Sequence, residues 1–231
     1  MTDRGKSLGR IAASFRSQCG KIDLDGHYTD FSGLLKPLAE LKLEEGLELD
    51  VRLPSTSGFG GESVPCLKCF GDRKRPMTMD PEDDFRPVVL EKDAGFGLDP
   101  AFTVPFTETG IWEAYLLTQA WHMLPLWWHA NYSNHTYIFR LKDFEEIHTG
   151  AMGYPVERRD RVILSIYSKD EKMLPKVTLM EDDTAEIVYH YWNDWSGLEK
   201  CTVTAHRDGN SVWFSEERTE NLVKYSCGIC Y

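Results

Sequence analysis

The chain has 231 residues, 42% hydrophobic and 27% charged, with seven Trp and a formal net charge of −11. That much apolar and aromatic material excludes global disorder, and the acidic balance disfavours non-specific binding to nucleic acid, whose phosphates it repels. No apolar run approaches the roughly 20 residues of a membrane span and no signal-peptide core opens the chain, so a cytoplasmic protein with mostly reduced thiols is expected, with no membrane partner.

Near the start, Leu8, Ile11, Ala12 and Phe15 recur at helical spacing and predict a short amphipathic helix. Pro37 suits a first helical position, Leu38 and Leu41 follow on one face, and Gly46 offers a stop, so a second helix is expected there. Leu47, Leu49, Val51 and Leu53 then alternate with Glu48, Asp50 and Arg52, the period of a half-buried strand that Pro54 ends. From 54 to 105 prolines and a glycine cluster break every pattern except a short strand at Val88-Val89-Leu90. Such a long irregular segment is expected to run over the surface and to carry binding contacts.

The clearest helix follows, capped by Thr107 or Thr109. Ile111, Trp112, Tyr115, Leu116, Leu117 and Ala120 cover it almost all round, so it must be buried on more than one side. It ends before Pro125. Residues 126–130 and 136–140, joined by a polar turn, predict a β-hairpin, and 143–147 a helical turn or two. Strands are expected at 162–167, 176–180, 186–192, 200–206, 212–215 and 221–225, with gaps so short that antiparallel pairing is favoured. Ile187, Tyr189 and Tyr191 oppose Val188, His190 and Trp192, which marks that strand as apolar on both faces and central. The fold expected is a single α+β domain over 1–231. Its C-terminal half forms an antiparallel meander over 126–226, packed by a buried helix near 107–122, and its N-terminal region is irregular.

Two CxxC pairs are the sharpest motifs. Cys66 and Cys69, with Cys227 and Cys230, could form a tetrahedral Cys₄ zinc site if each pair sat on a tight turn. The pairs lie more than 150 residues apart, which favours unligated thiols; Cys19 and Cys201 are expected to be packing residues. Neither pair opens a helix, as a thioredoxin-like redox motif would. A second cluster is His122, His129 and His135 within an aromatic stretch. Three histidines can hold a catalytic metal, with Glu108 or Glu113 as base, but their spacings of seven and six match no helical ligand pair. Gly58-Phe59-Gly60-Gly61 lacks the frame of a phosphate loop, the Asp23-Leu24-Asp25-Gly26 run lacks the acid a calcium loop needs, and no GxSxG elbow is present.

Without a catalytic constellation, the chain is expected to be a non-catalytic module that binds another protein, in the manner of an immunity-type acidic antidote. Trp127, Trp128, His129, Tyr132, Trp192 and Trp195 are the candidate contact residues. An exposed aromatic patch with an acidic rim would mark such a binder, and a pocket where histidines and an acid converge would mark the metal-dependent enzyme.

Overall fold

Alternation of apolar and polar residues becomes strand, and one fully apolar segment becomes a helix with no wet side. The computed structural model describes residues 2–22, 31–52, 64–69, 86–92, 95–124, 135–147 and 156–225. They form an α+β fold of helices and mainly antiparallel strands. The chain makes two compact units: one helix-centred, of Ser14–Trp128 and His206–Ser215, and one sheet-centred, of Met1–Ala13, His129–Ala205 and Glu216–Tyr231. The first helix, α1 (Thr2–Cys19), begins in the sheet-centred unit and ends in the other. It buries Leu8, Ala12, Phe15 and Cys19, a stripe at helical spacing.

In the helix-centred unit, β1 (Lys42–Leu43) pairs with β7 (Phe102–Thr103), and β2 (Leu47–Arg52), β3 (Val64–Cys69) and β4 (Arg86–Pro87) form a three-stranded sheet. Strands β5 (Val89–Lys92) and β6 (Gly95–Leu98) form a hairpin. Thus the 54–105 segment, expected to be irregular, contributes strands. Its glycines and prolines obscure a period that cross-strand hydrogen bonds nonetheless satisfy.

Helix α2 (Glu108–Thr118) fills the centre, and a short helix, α3 (Ala120–Met123), follows it. Thr107 caps α2 by accepting from the Gly110 N–H at 2.9 Å. Every residue from Gly110 to Thr118 is buried. The Tyr115 ring packs edge-on to Phe214 at 5.3 Å between centroids, with Phe96 at 6.4 Å.

No helix follows Pro37. A 3₁₀ turn occupies Phe31–Leu35 instead, and the backbone beyond it wraps a buried carboxylate. Glu113, with no exposed surface, accepts from the N–H groups of Ala39, Glu40 and Leu41 at 2.9, 2.8 and 2.8 Å. Those three donors would otherwise begin the expected helix. Burial raises the Glu113 pKa above the usual carboxylate range, while the three N–H groups pull it back.

The sheet-centred unit holds β8 (His135–Ile138), α4 (Arg158–Tyr167), β9 (Lys176–Leu179), β10 (Thr184–Asn193) and most of β11 (Gly197–Asp208) and β12 (Ser211–Lys224). Strands β8 and β9 lie end to end along one edge of β10, β11 lines its other edge, and β12 follows β11. Strand β10 is therefore central, with Tyr189, His190, Tyr191 and Trp192 all buried. Along β11, Cys201, Val203 and Ala205 are buried while Thr202, Thr204 and His206 are part-exposed, as alternation requires.

Two expectations fail here. The strands expected at 212–215 and 221–225 are one strand, β12, of 14 residues. The strand expected at 162–167 is helix α4: period two would bury Val162, Leu164 and Ile166 together, yet only Leu164 is buried. Ile163, Leu164 and Tyr167 face the core at helical spacing instead.

Replacing Glu113 by Ala strands three N–H donors with no acceptor. Urea denaturation is expected to show a loss of about 3 kcal/mol or more, against less than about 1 kcal/mol for an exposed control such as Glu181→Ala.

Candidate functional site

The antiparallel register of β8 and β10 sets Tyr137 opposite Tyr191 and His135 opposite Asn193. One face of the sheet-centred unit thus gathers a ring cluster. Tyr137 lies 6.1 Å from both Tyr189 and Tyr191 and 5.3 Å from Phe139, and His135 lies 4.7 Å from Tyr191. The Tyr191 hydroxyl donates to Glu199 Oε2 at 2.6 Å, and the Ser196 hydroxyl donates to Oε1 of the same carboxylate. The Cys201 thiol donates to Glu217 at 3.6 Å. Burial pushes the Tyr137 and Tyr191 hydroxyls far above the usual phenol range and lowers the His135 ring. The tyrosines therefore stay protonated donors at every working pH. Glu199 is saturated by two hydroxyls and Cys201 is fully buried, so this cluster is a packed hydrogen-bond network rather than a nucleophile and its base.

On the opposite face of β10, Trp192 is fully buried in the core with Ile138, Leu164 and Val223, and its ring lies 5.3 Å from Tyr225. Trp195 is part-buried against the same core. Trp127, Trp128, His129, Tyr132, Cys227 and Cys230 lie outside the described residues. Cys66 and Cys69 lie on strand β3, not on the tight turn that a zinc knuckle uses. His122 belongs to α3 of the helix-centred unit and His135 to β8 of the other. Glu108 sits in the first turn of α2, and the Glu113 carboxylate is engaged by backbone donors rather than free to act as a base. Among the described residues, no group of three or more His, Cys, Asp or Glu is placed to hold a metal ion.

The surface feature that the sequence pattern hid is the outer side of α4. Among the described residues the exposed large apolar side chains are aliphatic: Val162, Ile166, Leu179 and Met180. Val162 (56% exposed) and Ile166 (65%) stand one turn apart on α4. Arg158 continues their stripe one turn toward the N-terminus, and Arg159 and Arg161 flank it, all three exposed. Only Asp160 offsets them in the first turn. No ion pair engages the three arginines among the described residues. Cations at a helix N-terminus oppose its dipole, at about 0.3–1 kcal/mol each. Helix α4 therefore carries an apolar, basic outer face that folding does not use. The signal was present as Arg158-Arg159-Asp160-Arg161 ahead of Val162 and Ile166, but strand periodicity concealed it.

Compared with protein-family models, with curated proteins and with solved structures, the chain matches none. No helix among the described residues is long and apolar enough to cross a membrane.

Beneath the sheet, His190 is buried and its Nδ1–H donates to the Met173 carbonyl at 3.1 Å. Burial, with Lys200 nearby, lowers its pKa from 6.5 to about 4, against the opposing Met173 bond. The unfolded chain therefore binds the proton first. Stability from this group is complete above pH 6.5 and is lost as pH falls toward about 4, by up to about 3 kcal/mol. Urea midpoints measured across this window should fall with pH, and His190→Gln should flatten the dependence.

Proposed function

We propose that this protein acts by binding another protein rather than by catalysis, and that the outer face of α4 receives an acidic amphipathic segment of the partner. One observation carries the reading: Val162 and Ile166 are solvated on a helix whose three first-turn arginines have no ion-pair partner among the described residues. Covering the two aliphatic side chains is worth about 2–3 kcal/mol. The guanidinium groups add fork-shaped recognition of carboxylates and faster encounter. A flat anionic membrane would meet the whole chain, whose net charge is −11, whereas a peptide senses only charges within about 8 Å. That difference favours the peptide. The face proposed here is an aliphatic patch with a basic rim, so the partner proposed for it is acidic. The buried thiols of Cys19 and Cys201, which form no disulfide among the described residues, fit a reducing compartment such as the cytoplasm.

The test is fluorescence anisotropy with a labelled helical peptide that presents leucines at i and i+4 flanked by glutamates. Binding is expected at low salt, at least tenfold weaker for Ile166→Glu and for Arg158→Glu with Arg159→Glu, which corresponds to about 1.4 kcal/mol or more. Equal binding by wild type and these variants, or none by wild type, overturns the proposal. So does uptake by anionic phospholipid vesicles without uptake of the peptide.

A further inference from the structure

We infer that a cleft in the helix-centred unit binds a small organic cation with an apolar body, carrying an ammonium or guanidinium group. This inference is independent of the α4 face. The cleft has a volume of about 460 Å³, within the range of small-molecule sites. Leu98, Phe102 and Trp213 wall it, and it carries the carboxylates of Glu91 and Asp208. Among the described residues, neither carboxylate makes a hydrogen bond or ion pair, and no Lys, Arg or His lines the cleft. Arg207, which precedes Asp208 in sequence, places its guanidinium 4.5 Å from the centroid of the Phe106 ring.

The aromatic wall has a specific construction. Strand β12 pairs with β6 so that Trp213 stands opposite Gly97. A Cβ at Gly97 would meet Trp213 Cε3 at 2.8 Å, and one at Gly95 would meet its Nε1 at 2.5 Å. The indole thus lies flat over two residues that have no side chain. Glycine weakens a strand, and two in a strand of four residues indicate that this close approach is required. Ser211, two positions before Trp213 on β12, also lines the cleft. Two carboxylates without a partner among the described residues favour a cation, the Trp213 ring favours one with delocalised or soft charge, and the apolar walls favour a carbon body. The donor set does not suit a bare metal ion: among the described residues, no third His, Cys, Asp or Glu converges with the two acids.

The experiment is calorimetric titration of the full chain with phenethylamine and its neutral isostere 2-phenylethanol. N-acetyl-arginine amide represents the same chemistry borne by a polypeptide. Saturable binding of an amine or guanidinium probe is expected, at least tenfold tighter than that of the neutral isostere. Glu91→Gln with Asp208→Asn is expected to weaken it at least tenfold, with an unchanged circular dichroism spectrum. Glu181→Gln, an exposed acid on the other unit, should leave it unchanged. Tighter binding of phenethylamine assigns the cleft to free amines, and tighter binding of the arginine derivative assigns it to a basic side chain of a polypeptide. Equal affinity for charged and neutral probes overturns the inference, as does insensitivity to the paired substitution or the absence of saturable binding by both cations.

Discussion

A strand buried on both faces needs cover from two sides, and β10 imposes that requirement on the sheet-centred unit. Tyr189 and Tyr191 are buried on one face and His190 and Trp192 on the other. Each face meets the demand differently. On the tyrosine side, rings from β8 stack against those of β10, and the Tyr191 hydroxyl that burial would leave unmet is taken up by Glu199. On the tryptophan side the cover is aliphatic, with Leu164 of α4 among the residues that close over Trp192. Helix α4 is held by this one-sided need. Leu164, Ile163 and Tyr167 satisfy it and leave the outer surface of the helix to be set by something other than folding.

In the helix-centred unit the organising constraint is a charge. Glu113 sits on a helix with no wet side, and its carboxylate is tolerable there because three consecutive backbone N–H groups converge on it. The segment from 39 to 41 is shaped by that need, so a local preference for helix after Pro37 is overridden. The same unit contains a second departure from local preference, the two glycines of β6 beneath the Trp213 indole. Departures of this kind are where function concentrates. The arginines at the start of α4 belong with them, placed against the dipole of their own helix.

The candidate sites were partly legible. The aromatic richness from 112 to 139 and from 189 to 195 was visible as composition, but composition does not distinguish a core ring from a contact ring. Trp192 proved to be core because Leu164, Val223 and Tyr225 gather on its face of the sheet, a property of its neighbours rather than of its own residue type. His122 and His135 stood in one histidine-rich stretch of sequence, yet they belong to different units. The basic face of α4 was missed because Val162, Leu164 and Ile166 fit a strand period while Ile163, Leu164 and Tyr167 fit a helical one over the same short run.

What the sequence by itself determined are the elements whose burial pattern repeats locally. The stripe of α1, the alternation of β2, β10 and β11, the cap at Thr107 and the all-round burial of α2 each follow from side chains within a few positions of one another. Tertiary structure alone decided the rest: that 162–167 is a helix, that residues 39–41 wrap Glu113, that β12 is continuous, and that Trp213 lies on Gly95 and Gly97. Hydrophobic periodicity is a local property of the chain. The partner that satisfies a buried charge or accepts a ring comes from residues up to more than a hundred positions away, and only folding brings it there.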